Sequence, residues 1–558
     1  METFIVCDND NSRTLVSCAT GDSIAFPDFI EKHAFFNKDI IRIHDNRFEI
    51  ISSPVRESQE LPGILKLDDR CKYGKDSGRF LYKCIPDDPT LPPFLVPRKD
   101  TNLGFSNKRD NLFVLFRFLE WTDANTFPRA TLVRTIGPST NQEAFYEYQV
   151  VRHGLHTSIS KFGKSAVFSA KGYAGPMIGE DRTSRKVITI DPSDCKDFDD
   201  AVEVQRTSSG YHLSVYIANV PRLMEDLKLW SEMSERVATI YMPDRKWPML
   251  PPVISERLAS LVKGERRSAF AMDVKISESF VIESVKFVES IINVSENHVY
   301  ESNELLADPS YKLLCELTKG FATLRDCGPS LTGEFDSHDV VARLMVLMNH
   351  QASLVLLQNG KGIFRSVSKC FVRGKPDHVP DDVMNKIIIW KGMSGAYVGV
   401  EDNICHEALG LDSYLHITSP IRRLVDMINM IELCRCVGTG DEFTEAQRLI
   451  DRWTNSLDLI NMQMKSIRRA QSDSAAMSYC LSMSENECIV EGYAFECKKR
   501  SEGFFKYKVY VPILKNVLSI TVPYLLEELT CLRVKITIFD DEVTLARKLR
   551  IGIFSCPS

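Results

Sequence analysis

The stretch ITIDPSDCKDFDDAVEV, Ile188 to Val204, decides how this chain is read. It follows from the apolar run Lys186–Ile190 (KVITI) and ends on Ala201–Val204 (AVEV), with Asp191, Asp194, Asp197, Asp199 and Asp200 between them. Carboxylates packed this densely repel one another, and a folded protein keeps such a cluster when cations neutralise it. Pro192 and the short polar residues favour a turn, which would aim several carboxylates at one place. Oxygen ligands without His or Cys suit Mg²⁺ or Mn²⁺ better than zinc. A calcium EF-hand loop is excluded, because Lys196 stands where that loop needs Gly. Composition alone also fits a solvated acidic turn. The apolar strands on both sides favour carboxylates held at a cleft.

A second segment, YLHITSPIRRLVDMINM from Tyr414 to Met430, carries the signature of a helix start. Ser419 suits the N-cap, Pro420 the first helical position, and Arg422 then falls in the first turn. Free backbone N–H groups and a guanidinium at such an end make a seat for a phosphate. Viewed alone, Arg422 and Arg423 fit surface charges on an amphipathic helix equally well. An acidic loop and a basic helix start in one domain are the two halves of a metal-assisted phosphodiester site.

Around these segments the 558 residues exceed the roughly 100–200 of one ordinary domain. Short β-branched and aromatic runs fill the first 165 residues, separated by Asp, Asn and Gly and by the Pro-rich stretch Pro86–Pro97. They predict two successive small barrels, 1–85 and 86–165. Lys161–Gly179 has the composition of a linker. Residues 166–485 mix strands (KVITI, YHLSVYIANV) with long apolar-periodic helices, three of which begin near Asp339, Ser419 and Thr444. Residues 486–558 return to strand patterns and predict a third barrel. The fold class is therefore α+β and multidomain.

Charge bounds the partners. With 69 Lys and Arg against 75 Asp and Glu the net charge is −6, so no general basic coat exists and a polyanion site must be local. From Cys488 onward eleven Lys or Arg face eight Asp or Glu, a small basic excess that a solvated barrel face explains almost as well. Sixteen cysteines show no CxxC or zinc-ligand spacing. No signal-peptide pattern opens the chain, so free thiols in a reducing, cytoplasmic compartment are expected. The apolar run from Leu344 to about Gln358 is interrupted by Asn349, His350 and Gln351, and reads as a buried helix rather than a membrane span.

Several ordered motifs, TIDPSDCKDFDDA at Thr189, YMPDRKWPMLPP at Tyr241, LMVLMNHQASLVL at Leu344 and HEALGLDSYLHITSPIRR at His406, resemble the ribonuclease II / ribonuclease R family, whose eukaryotic members include the exosome's hydrolytic subunit. FLEW, RATLVRTIG and YQVVRHGL are similar to the eukaryotic form of that family's second barrel. The resemblance implies two cold-shock-type OB barrels, a mixed α/β RNB catalytic domain and a terminal S1-type OB barrel. It implies hydrolytic, processive 3′→5′ degradation of single-stranded RNA to nucleoside 5′-monophosphates with Mg²⁺, Mn²⁺ being a possible substitute.

By the same resemblance Asp191, Asp197, Asp199 and Asp200 are catalytic metal-site aspartates, with Asp191 and Asp200 the direct ligands and Asp199 the one whose loss damages most. Arg422 would stabilise the scissile phosphate. Tyr241, Tyr300, His416, Ser419 and Arg423 would contact RNA, the tyrosines by stacking, which tolerates any base. Core packing is the alternative for either tyrosine. A monomer able to join a larger RNA-decay complex and needing no membrane is expected. The chain departs from the family's His-Ile-Ala-Asp-Val at Tyr216 and Asn219, from a usual His at Val367 and from a common Glu at Gln471. An RNA-binding scaffold without catalysis therefore stays open, as does a DNA nuclease, since a 2′-hydroxyl contact is not legible in sequence.

Overall fold

The structure, a computed structural model, describes all residues except 1, 10–11, 28–33, 46, 68–72, 100–109, 122–125, 177, 321–334, 369–375, 377, 393–394, 440–442, 484–486, 501–502 and 556–558. The chain divides into two compact units. One gathers Met1–His156, Met242–Asp244 and Ala470–Ser558; the other is Thr157–Tyr241 with Arg245–Arg469.

The first unit is built of three sheets. Glu2–Asn9 forms the centre of a five-stranded antiparallel sheet, in which Phe4 and Val6 alternate inward to meet Leu15, Phe35 and Ile41. The second sheet closes on itself: Leu61–Leu65 pairs both Leu112–Glu120 and Arg79–Pro86, around Tyr82, Phe94, Val114 and Phe116. Closure brings backbones together at Gly63, where a Cβ would stand 2.7 Å from the Ile85 carbonyl oxygen. The third, between Glu487 and Ser555, is again five-stranded, over a core of Tyr507, Val509, Leu532, Val534 and Ile536.

The division at residue 85 differs from this pairing. Arg79–Pro86 and Phe94–Arg98 are one hairpin of the second sheet, and the Pro-rich stretch is its connection. Proline there needs no ladder donor, so a turn inside a sheet carries the composition of a linker.

The second unit holds the acidic loop. Its sheet runs Glu180–Asp181, Ile282–Val299, Val187–Asp191, Asp200–Thr207, Gly210–Ala218, Arg266–Ser277, and the last strand also pairs Ile282–Val299. Val187–Asp191 lies parallel to Ile282–Val299 and antiparallel to Asp200–Thr207, so the loop joins two central strands. The helix Leu424–Cys436 is buried along almost its whole length. Ser337–Gln358 is long and apolar enough to cross a membrane, and packs Leu344, Leu347, Met348, Asn349 and His350 inside the unit.

Three expectations need correction. Ser160–Ala170, inside the expected linker, is a helix, with only Phe162 and Ala166 buried; two positions four apart are too few to register as periodicity. The helix expected from Ser419 begins at Leu424. The long helical pattern after Thr444 breaks at Asn455 into Gln447–Thr454 and Leu457–Ser482.

The departures at Tyr216 and Asn219 lie in buried ionic networks of this sheet. The Tyr216 hydroxyl donates to Glu203 at 2.6 Å, beside the two-pronged Arg182–Asp273 pair. Asn219 donates its amide to Glu289 at 2.8 Å, and Arg222 grips the same carboxylate at 3.1 and 3.0 Å. Val367 is buried, its backbone paired with Cys405 and Glu407.

Candidate active site

Strand order sets where the acids stand. Asp191 ends its strand opposite Val299, and the next residue, Tyr300, donates its backbone N–H to the Asp191 carbonyl at 3.1 Å. Asp200 opens the neighbouring strand opposite Ile217. Between them the loop is pinned by the buried Ser260, whose hydroxyl accepts from Phe198 N and donates to the Lys196 carbonyl. Asp194 points outward and is exposed.

The 419–423 segment reaches this loop from more than 200 residues away. Asp199, only 4% exposed, accepts from the Ile421 backbone N–H at 2.9 Å and from Arg422 Nε at 3.2 Å. Arg422 also donates to the Ser419 hydroxyl at 2.9 Å, while its guanidinium keeps 44% of the side chain exposed. The turn is held from behind by the fully buried Asp426, which accepts from Ser419 N at 2.7 Å and from Arg423 at 2.8 Å. Ser419 therefore serves the turn and not a helix cap, and Arg423 is drawn onto Asp426.

The four aspartates divide into two kinds. Asp197 meets Lys246 Nζ at 2.9 Å and the Tyr241 hydroxyl at 3.4 Å, and Asp199 meets Arg422. Asp191 has one oxygen, Oδ2, with no hydrogen-bond partner, and its Oδ1 receives the weak Cys195 thiol at 3.9 Å. Burial raises the Asp191 carboxyl to about 7 against the lowering pull of the Thr189 hydroxyl, and the Asp199 charge adds to the rise. Asp200 is raised to about 7 by burial and by the charge of Asp191, with Arg422 pulling the other way. Burial takes Asp199 to about 7 as well, although Arg422 and the Ile421 N–H both lower it. Partial burial works against the Lys246 charge, but hydrogen bonds to Glu256 and Asp197 outweigh it and hold the ammonium above its ordinary value.

Among the described residues no three His, Cys, Asp or Glu side chains close on one point as a ready-made metal cage. Mg²⁺ does not need one: it keeps several waters and takes one or two carboxylates plus substrate phosphates. The open oxygen of Asp191 and the carboxyl of Asp200 supply that donor set, so the residues fit such an ion.

The aromatic residues flank the acids. Tyr241 is 42% exposed, and burial of its hydroxyl end and the Asp197 charge push its ionisation up. Tyr300 stacks on His338, ring centres 3.8 Å apart and 15° from parallel, and burial followed by the charges of Asp200 and Asp191 raises its hydroxyl. His416 lies behind the turn, bonded through Nδ1 to the Tyr397 hydroxyl at 2.9 Å and set against Tyr414. Burial and then the Arg423 charge push it well below its ordinary value, so it is neutral.

The structure thus gathers Asp191, Asp197, Asp199, Asp200, Ser419, Arg422, Tyr241 and Tyr300, and sets His416 and Arg423 in the support behind them. Sequence reasoning missed Lys246, Glu256, Ser260, His338 and Asp426. Asp426 carried a usable signal, three residues after Arg423, and Lys246 lies within the YMPDRKWPMLPP motif.

A family model described as the RNB domain matches residues 180–313 and 332–437. Ribonuclease R of Thermotoga maritima is 28% identical over 236 residues, 40% of this chain and 32% of that protein. Across such curated relatives the matched region spans from 22% to 54% of their length. Among solved structures, Mycoplasma genitalium RNase R in complex with ribose-methylated single-stranded RNA superposes with a TM-score of 0.70 at 16% identity, covering 99% of this chain and 100% of that one. Yeast Ssd1, a pseudonuclease, superposes with a TM-score of 0.60 at 12% identity, covering 96% and 81%. These likenesses show a ribonuclease R-like multidomain fold of an RNB domain with OB-type barrels.

Proposed function

We propose, from the match of residues 180–313 and 332–437 to the RNB domain, that the chain hydrolyses single-stranded RNA from the 3′ end, processively, to nucleoside 5′-monophosphates. The observation that carries this reading is the double grip of the Ile421–Arg422 turn on Asp199, which brings the acidic loop to a guanidinium. Asp191 and Asp200 would hold Mg²⁺, or Mn²⁺ in its place. When bound, the ion supplies charge neutralisation at the scissile phosphate and acidifies water there. Arg422, tethered by Asp199 and Ser419, presents its exposed edge to the phosphate, where a planar fork of donors matches the oxygens. Tyr241 and Tyr300 stack the terminal bases and admit one strand, at about 1–3 kcal/mol per base. The test is a 3′-tailed duplex whose tailed strand is labelled throughout, with Mg²⁺ or with EDTA. Mononucleotides released from the tail, in Mg²⁺ only and not by Asp199→Asn, are expected; wild type that leaves the tail intact refutes the proposal.

One observation favours a second reading, an RNA-binding scaffold without catalysis: the same fold is shared with a pseudonuclease. The contact between Asp199 and Arg422 and the complete aspartate set weigh against it, because a scaffold has no need to keep buried acids unneutralised. Retention of the tailed RNA without cleavage, equal in wild type and Asp199→Asn, would select it.

A further inference from the structure

Two of the four loop aspartates already have a protein cation, and the two differ in kind. Arg422 approaches Asp199 from the phosphate-binding turn and keeps an exposed edge for substrate. Lys246 does something else. Its ammonium sits 2.9 Å from Asp197 Oδ1 and 2.8 Å from Glu256 Oε1, bridging two carboxylates. It is delivered by a short hairpin in which Tyr241 stands directly opposite Lys246, so the pair holds both Asp197 oxygens, Oδ1 by the ammonium and Oδ2 by the phenol at 3.4 Å. Asp191, by contrast, leaves Oδ2 without a partner.

A site for two ions needs open carboxylate oxygens on both sides of the reacting phosphate, with the ions about 3.5–4 Å apart. On the Asp197 side both oxygens are already engaged, Oδ1 by a cation. A divalent ion there would have to displace a positive charge that is itself anchored by Glu256. An ammonium offers the same sign of charge at that place but has no coordination position for water or phosphate. Its three donors are compatible with a carboxylate on each side.

We infer that Lys246 stands in for a second divalent ion at Asp197, so that the loop takes a single ion, on Asp191 and Asp200. Lys246 is then a positioning residue: it neutralises Asp197 and fixes Tyr241 beside it. The identity of the ion rests on the RNA-hydrolysis reading above, but the stoichiometry is measured without RNA.

Mn²⁺ bound to the full chain is counted by electron paramagnetic resonance of the free ion, with Asp191→Asn as the control for ions held elsewhere. Wild type is expected to hold one ion that Asp191→Asn removes. Lys246→Met, which opens Asp197, is expected to raise the count from one to two; adding Asp197→Asn returns it to one. Lys246→Arg, which keeps the charge, stays at one. Two ions in wild type, none in wild type, or one in a folded Lys246→Met each overturn the inference. Should Lys246→Met fail to fold by thermal melting, Asp197→Asn alone decides: an unchanged count of one supports the inference and a fall overturns it. Hydrolysis of the tailed RNA by the same preparations is read separately. Wild type with one ion and no cleavage keeps this inference and fails the RNA reading, and cleavage with two ions does the reverse.

Discussion

Two groups of buried charge share the same sheet and behave in opposite ways. In the Tyr216–Asn219 region every ion is answered: Arg182 by Asp273, Glu203 by Tyr216 and Arg185, Arg222 and Asn219 by Glu289. At the acidic loop Asp191 and Asp200 are not, and their carboxyls rise to about 7. Charge buried with its partners serves the fold, whereas charge buried without them is a cost that folding alone does not explain. Tyr216 and Asn219 fall in the first group, each hydrogen-bonded to a buried carboxylate.

The largest effect that would break this contrast lies at the loop. Asp200→Asn should lower the rate of RNA hydrolysis by about 10³-fold or more. In EDTA the same variant should melt no lower than wild type, because an amide there removes an unpaired buried charge. A loss of melting temperature equal to that of a network variant would erase the distinction. Glu289→Ala supplies that variant: it strands Arg222 in the core and should cost about 3–5 kcal/mol in denaturant unfolding, with hydrolysis per folded molecule little changed.

A third test is a slope rather than a step. The loop carboxyls titrate near 7 when folded and near the ordinary aspartate value when unfolded. Between about pH 4 and 7 the folded chain binds more protons, so the loop's contribution to stability is full below about pH 4, falls as pH rises to 7 and is flat above. Measured in EDTA as the difference between wild type and an Asp191→Asn, Asp200→Asn double variant, that decline should be seen between about pH 4 and 7, and replacing EDTA by Mg²⁺ should offset it, because the ion competes with the proton for the same carboxylates. The smallest effect is expected at the rim. Tyr300→Ala should weaken single-stranded RNA binding by about 1–3 kcal/mol, read as a rise in KM, with the melting temperature near wild type.

The comparison also explains what sequence could show. The acids between KVITI and AVEV, and the SPIRR turn, are local patterns, and the structure brings them into contact. Lys246 is invisible in its role because a salt bridge to Asp197 is a fact of three dimensions, the partners standing 49 positions apart. The start of Leu424–Cys436 was misplaced because Ser-Pro suits a tight turn as well as a helix entry; only the buried Asp426, by bonding Ser419 N, chose between them. The Pro-rich hairpin connection at 86–93 reads as a boundary for a related reason, since proline marks a turn without saying whether the sheet continues beyond it.

The distance along the chain between Asp199 and Arg422, 223 residues, has a consequence in time. During synthesis at about 5–20 residues per second the loop emerges roughly ten to forty-five seconds before the arginine that completes it. For that interval the nascent loop exists without the guanidinium that grips Asp199, so the arrangement proposed to act on RNA is assembled only after Arg422 has been made.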